Sequence, residues 1–154
     1  MVIRPNVRIY TDGSCRDRIG GWAFIVQATK FTTAPAGGGA AEDTTNNRME
    51  LEAIYHALRW ADRHIKPGEN VCIVSDSRTS LVVIQTMDRH NYKNFDLVTL
   101  CRDHTAKIRS KGIAVNFEWI KGHVPGNTWN TFADRIASRH REGLERRILK
   151  QLTS

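Results

Sequence analysis

The stretch Val71-Cys72-Ile73-Val74-Ser75-Asp76 decides the fold. Four consecutive apolar residues without polar alternation are the pattern of a strand covered on both faces, and this one runs into a carboxylate. Upstream, Leu51, Ile54, Tyr55 and Leu58 recur at i, i+3, i+4 and i+7, which is an amphipathic helix. Thr45-Asn46-Asn47 offers capping residues before it, and Pro67-Gly68 ends the connection. Downstream, one helix is expected through Leu81, Ile84 and Met87. Another is expected from Phe95 to Ser110, with Leu97, Val98, Cys101 and Ile108 on one face; Lys111-Gly112 breaks it. Ile113, Val115, Phe117 and Trp119 then alternate with Ala114, Asn116 and Glu118, a half-covered strand. A last helix carries Trp129, Phe132, Ala133, Ile136, Ala137 and His140 on one stripe. The residues beyond it, from about 141, read as a basic tail that frays.

The N-terminal part reads differently. Residues 7–11 alternate and run into the turn pair Asp12-Gly13, so a strand ends at Asp12. Gly20-Gly21 opens a second strand, Trp22 to Ala28. A weaker third covers Lys30 to Thr33, and the small-residue run Ala34 to Ala41 reads as a flexible loop. The order β-β-β-α-β-α-α-β-α implies a mixed α/β fold: a five-stranded mixed sheet, three antiparallel strands followed by parallel ones, covered by helices. Sites in such sheets lie outside the carboxyl ends of the parallel strands, where Asp12 and Asp76 are expected.

The chain has 154 residues, enough for one domain with its own core, and we read residues 1–154 as that domain. The formal net charge of +7 points to a polyanionic partner, nucleic acid first. No apolar run approaches the roughly 20 residues that span a bilayer. The N-terminus lacks the apolar stretch and cleavage site of a signal peptide, so a cytoplasmic protein without membrane association is expected, monomeric for want of a large apolar face. Cys15, Cys72 and Cys101 are odd in number and form no C-x-x-C pair, which excludes a disulfide framework and a zinc site of that kind. Cys72 and Cys101 belong to apolar positions; Cys15 follows a loop motif.

Four acids fall at informative places: Asp12 and Asp76 at strand ends, Glu50 beside the apolar stripe of the first long helix, and Asp134 in the first turns of the last helix. Any one alone reads as a turn, cap or dipole residue. Together at one sheet edge they repel, and a divalent cation relieves the repulsion. Oxygen donors suit Mg²⁺, with Mn²⁺ able to substitute. Two such ions roughly 3.5–4 Å apart are a known arrangement for in-line phosphodiester cleavage.

Tyr10-Thr11-Asp12-Gly13-Ser14-Cys15 resembles the opening motif of type 1 ribonuclease H. Thr44-Thr45-Asn46-Asn47-Arg48-Met49-Glu50-Leu51 resembles its second motif nearly letter for letter, and Ser75-Asp76-Ser77 its third. Trp119-Ile120-Lys121-Gly122-His123, followed by Gly126, Asn130, Ala133 and Asp134, resembles its last. The motifs come in family order and cover most of residues 6–140. The resemblance implies the ribonuclease H-like fold and an endonuclease that hydrolyses the RNA strand of RNA–DNA hybrids with two metal ions, leaving 5′-phosphate and 3′-hydroxyl ends. It implies that Asp12, Glu50, Asp76 and Asp134 hold the ions, and that His123 relays protons or assists product release. It further implies substrate contacts at Cys15, Asn46, Asn47, Arg48, Arg78 and Asn130, the asparagines touching the 2′-hydroxyls that distinguish RNA from DNA. Arg48 alternatively buttresses its loop.

Three departures accompany the resemblance. The Gly/Pro-rich loop after the first motif is replaced by Arg16-Asp17-Arg18-Ile19-Gly20-Gly21, in which Arg16 and Arg18 could meet phosphates. The polar amide two residues after the third motif's Asp is Arg78. The segment between Met87 and Phe95 is short, as in compact members that lack an extra helix and basic loop. The competing readings are a non-catalytic hybrid-binding module of the same fold, a DNA strand-transfer or junction-cutting enzyme, and a domain derived from a reverse transcriptase.

Overall fold

The computed structural model describes residues 6–86 and 93–154; Met87 and the short segment after it lie outside the described residues. The sheet has the order β3-β2-β1-β4-β5. Strands β1 (Val7–Arg16), β2 (Ile19–Gln27) and β3 (Ala36–Ala41) pair antiparallel; β4 (Asn70–Ser75) and β5 (Ala114–Trp119) extend the sheet in parallel from β1. Helices α1 (Asn46–His64), α2 (Arg78–Gln85) and α3 (Phe95–Ser110) pack together beside the sheet. Helix α4 (Thr128–Thr153) packs on β1, β2 and β3. The fold class expected from the sequence is the one observed.

The main core joins Val7, Ile9 and Val26 of the sheet to Ile54, Ala57 and Leu58 of α1, with Val71 and Ile73 of β4 fully buried as the unbroken apolar run requires. A second cluster, Tyr10, Ile25, Cys72, Val74 and Ala133, fills the space under α4. Two faces of the same strands are thus covered by different helices: odd-numbered residues of β1 and β4 with even-numbered ones of β2 face α1, and the alternate residues face α4. Cys72 and Cys101 are buried, as expected, and desolvation pushes their thiols up to about 11 and about 12.

Four local expectations are corrected. The third strand is the Gly/Ala run Ala36–Ala41, not Lys30 to Thr33. Its glycines have no propensity for strand, but the Phe24 and Trp22 rings of β2 and the imidazole of His140 occupy the space where side chains would stand, so only a bare backbone can pair there. β1 does not end at Asp12 but continues to Arg16, closing on β2 through a two-residue turn in which Asp17 and Arg18 both have positive φ, 51° and 65°. The buried stripe of α4 is Asn130, Ala133, Ala137 and Arg141, while Phe132 is 38% exposed. Small residues face the sheet because α4 lies almost on its backbone: a Cβ on Gly21 would stand 2.1 Å from the Ala137 carbonyl oxygen. Finally, the segment read as a tail from about residue 141 is the continuation of α4, anchored by the buried Arg141.

No helix among the described residues is long and apolar enough to cross a membrane.

Candidate active site

Parallel pairing of β1 with β4 stops at Thr11 and Ser75. The next residue on each strand is an aspartate, so adjacent chains deliver Asp12 and Asp76 to the same edge. Asp12 is still held by antiparallel pairing opposite Ala23, and is 4% exposed. Glu50 arrives from α1. Its helix is started by Thr45, whose side chain accepts from the Arg48 N–H at 3.2 Å. The Gly13 N–H donates to Asp12 Oδ1 (2.9 Å) and Glu50 Oε1 (3.2 Å), joining the two acids through one backbone group. Carboxylate oxygens of Asp12, Glu50 and Asp76 all lie within 4.8 Å of one another. Asp134, on the second turn of α4, is within hydrogen-bonding reach of Asp12.

The electrostatic consequence is uniform. Burial, and then the charge of Asp76, push the Asp12 carboxyl up to about 8. Glu50 is raised well above the ordinary carboxylate range by burial, then by the charges of Asp12 and Asp76. Asp76 is raised by burial and by Asp134, while His123 pulls it the other way. Such crowding keeps protons on acids that would otherwise be ionised. Glu50 Oε2 is buried and has no hydrogen-bond partner among the described residues, nor has the buried Asn130 Oδ1 one turn before Asp134. Unpartnered acceptors beside clustered carboxylates are a donor set for a hard cation.

The family model for RNase H matches residues 4–142. The chain belongs to the ribonuclease H family. Relatives at substantial identity agree: a Ribonuclease H of Methylococcus capsulatus is 38% identical over 149 residues, covering 88% of each chain. A Ribonuclease H of Maricaulis maris is 34% identical over 154 residues, covering 90% of this chain and 93% of the relative. Among solved structures, the N-terminal RNase H domain of a Mycobacterium tuberculosis protein, solved as a fusion with maltose binding protein, superposes with a TM-score of 0.68 at 25% identity. It covers 92% of this chain and 97% of that one. A type 1 RNase H carrying the type 2 active-site motif shares the fold at a TM-score of 0.72 and 22% identity, covering 93% and 75%. The chain is therefore an enzyme of the ribonuclease H class.

Around this carboxylate cluster the remaining expected residues separate into two groups. His123 is exposed on the loop before α4, with φ at 56°, and near enough to Asp76 to influence it. That loop is closed over the acid: a Cβ on Gly122 would stand 2.5 Å from Asp76 Oδ2. Asn46 and Asn47 are exposed on the first turn of α1. Cys15 is half-buried, its thiol 3.6 Å from the Thr44 carbonyl. Arg78 is exposed, with its guanidinium over the Trp119 ring at 4.1 Å. Arg48 is different, because Asp96 takes both its terminal nitrogens (2.9 and 3.1 Å) and Asn94 accepts from one of them (3.1 Å). That is the geometry of the buttress, binding the start of α1 to the start of α3. Arg18 likewise pairs with Asp43 at 2.5 Å.

Sequence reasoning missed Trp119 as part of the site. Its indole N–H donates to the Asp76 carbonyl at 3.0 Å and its face carries Arg78. In the sequence it stands as the last apolar position of β5 and as the first residue of the Trp119-Ile120-Lys121-Gly122-His123 motif, and neither reading assigns its side chain a partner. Arg141 was missed too: its Nε donates to Ser14 Oγ at 2.8 Å, two residues beyond Asp12.

Proposed function

We propose that this enzyme hydrolyses the RNA strand of RNA–DNA hybrids, with Asp12, Glu50, Asp76 and Asp134 holding divalent metal, two Mg²⁺ ions with substrate or Mn²⁺ in their place, and leaves 5′-phosphate and 3′-hydroxyl ends. The observation that carries the reading is the mutual approach of three carboxylates within 4.8 Å around the buried, unpartnered Glu50 Oε2, in a chain of this family. The donors are all hard oxygens, which fits Mg²⁺ and excludes a preference for soft metals. Bound there, the ions supply Lewis acidity toward the phosphodiester and its attacking water.

The protein's own groups do the rest. Asp12, fixed by strand pairing, Asp76, the residue after β4 whose carbonyl the Trp119 indole holds, and Glu50, fixed by Gly13, hold the donor oxygens in place before substrate arrives. His123 stands outside the cluster, exposed, on the side of Asp76, where an imidazole can take or give a proton without competing for the metal site. Asn46, Asn47 and Cys15 form the rim beside Glu50 and present amide and thiol groups to 2′-hydroxyls. Arg78, exposed with its guanidinium over the Trp119 ring, is available to phosphate near Asp76. Asn130, buried one turn before Asp134 with its Oδ1 unpartnered among the described residues, offers a further acceptor to the substrate side of the site.

The test is cleavage of a labelled RNA–DNA hybrid with and without Mg²⁺, beside duplex RNA, duplex DNA and an Asp12→Asn control. Metal-dependent cutting of hybrid RNA alone, with 5′-phosphate products and loss in the variant, is expected. Tight hybrid binding without cutting in Mg²⁺ or Mn²⁺ would replace this reading by the non-catalytic binding module.

A further inference from the structure

The site described above uses α4 only as far as its first turns. The match to the family model ends at residue 142, yet α4 runs on to Thr153, about three turns further. These turns are held. Arg141, with a side chain 7% exposed, donates to Ser14 Oγ at 2.8 Å and pairs with Glu145 at 2.5 Å. Leu144 and Ile148, both half-buried, continue the sheet-side stripe of Ala133, Ala137 and Arg141.

The opposite side of the helix is built differently. Arg135, Arg139, Arg146 and Lys150 are all exposed. Their spacing of four, seven and four residues places them, at ~100° per residue, within an arc of about 60° that points away from the buried stripe. At 1.5 Å per residue the row is about 22 Å long. Among the described residues none of the four has an ion-pair partner. Glu142 lies about 20° beyond the edge of that arc, four residues before Arg146, and its carboxylate is paired with Arg141 at 3.8 Å. A helix face designed for its own stability interleaves acids with bases at i, i+4. This one leaves like charges about 6 Å apart twice over.

We propose that this face of α4 is a second nucleic-acid contact, which grips the phosphodiester backbone of the bound hybrid outside the catalytic site without reading its sequence. The proposal rests on the hybrid-cleavage reading for its ligand. Phosphates recur along one strand about every 3.4 Å of helix axis, so a row of this length faces several of them. Three of the four cations are arginines, whose planar guanidinium matches a phosphate with two parallel hydrogen bonds. The Arg141–Glu145 anchor keeps the row stiff, so ordering it costs little on binding.

The experiment compares the parent with the triple variant Arg139→Gln, Arg146→Gln, Lys150→Gln. The control is Arg63→Gln, Lys66→Gln at the end of α1 remote from the carboxylates. Glutamine keeps helix propensity, and far-UV circular dichroism checks that α4 persists. Hybrid affinity in EDTA and KM in Mg²⁺ are measured across roughly 50–200 mM salt. Each lost phosphate contact removes about 0.9 from the slope of log affinity against log salt, so the triple should flatten it by about 2 to 3 while the control does not. The loss falls on KM and grows with hybrid length. A triple slope equal to that of the parent overturns the proposal. If that equality is accompanied by altered sedimentation of Leu149→Asp, Leu152→Asp, this end of α4 is instead a contact between copies. An α4-dependent slope in a parent that cuts nothing would sustain this proposal and sink the cleavage reading; cutting with an unaffected slope would do the reverse.

Discussion

Replacing Asp12 by Asn separates the electrostatic cost of the site from its chemistry. The Asp12 carboxyl is pushed up to about 8, first by burial and then by the charge of Asp76, from an ordinary value of 3.8. Between these two values the folded protein holds a proton that the unfolded chain has released. Stability therefore falls as pH rises: the penalty is absent below about pH 4, grows by about 1.4 kcal/mol per pH unit, and is complete above about pH 8. Between about pH 5.5 and 7.5 the metal-free parent loses about 3 kcal/mol through this group, on the order of 5–10 °C in Tm for a chain of this size. Asn carries no charge, and its Oδ1 can still accept from the Gly13 N–H that Asp12 Oδ1 holds at 2.9 Å. Part of the upward push on Glu50 also comes from Asp12, so the variant loses some of that slope as well. Thermal melts in EDTA at the two pH values read the effect. The variant should be the more stable protein at both values, with an advantage about 3 kcal/mol larger at the higher pH, converge on the parent only near about pH 4, and cut no hybrid. Mg²⁺ should raise the parent's Tm at the higher pH by mass action, and that of the variant by less. Parallel pH profiles in EDTA would refute the reasoning, because they would mean that Asp12 carries no buried charge penalty for a cation to relieve.

Three further outcomes follow from the packing. Gly21→Ala places a methyl 2.1 Å from the Ala137 carbonyl oxygen and 2.8 Å from the Arg141 nitrogen; α4 must lift from the sheet, so urea denaturation should show a loss of about 3 kcal/mol, with activity falling as Asp134 moves. Asp17→Asn with Arg18→Gly suits the paired positive φ values of that turn and should raise the unfolding free energy read from urea denaturation by about 0.5–1 kcal/mol, since the exposed Arg18–Asp43 pair it removes contributes little. Trp119→Phe removes the N–H that holds the Asp76 carbonyl and weakens the platform under Arg78; kcat should drop about tenfold while stability changes by about 1 kcal/mol, and equal kcat in both proteins would show that Asp76 needs no such anchor.

The carboxylate cluster was legible from sequence because its physics restricts residue type severely. Few acids tolerate positions where Asp12 is 4% exposed, so an acid at the end of a buried apolar strand such as Val71–Val74 demands a reason. The strand order was legible for a similar cause: a run of residues buried on both faces and a half-covered alternation at Ile113–Trp119 have different periods. What escaped were features decided by partners distant in sequence. Ala36–Ala41 has no strand signal of its own, and it pairs because the rings of Phe24 and Trp22 cover its glycines. The strand continuation from Asp12 to Arg16 depends on two non-glycine residues accepting left-handed backbone at Asp17 and Arg18, which turn statistics discourage. The apolar stripe drawn on α4 through Phe132 and Ile136 chose large residues, whereas the close approach at Gly21 selects alanines.

Basic residues show the same division most clearly, and it bears on what the charge of +7 means. Composition counts all cations alike. In the fold, Arg18 is tied to Asp43, Arg48 to Asp96, Arg8 to Glu118, Lys107 and Lys111 to Asp62, and Arg141 to Glu145. These charges hold elements together and leave little field for a ligand. Of the two arginines read as phosphate contacts, Arg18 is thus tied and Arg16 is exposed without an ion pair among the described residues, while Arg48, read as a substrate contact, is tied as well. The cations left over lie in several places, among them Arg78 beside Asp76 and the row along the outer face of α4. A polyanion that must approach a cluster of carboxylates needs compensating positive charge at a distance from them, because cations inside the cluster would compete with the metal for the same oxygens. Along α4 the arrangement satisfies both demands: Arg141 is neutralised at the joint with the sheet, and Arg139, Arg146 and Lys150 stand free on the outer face, beyond the turns that carry Asp134.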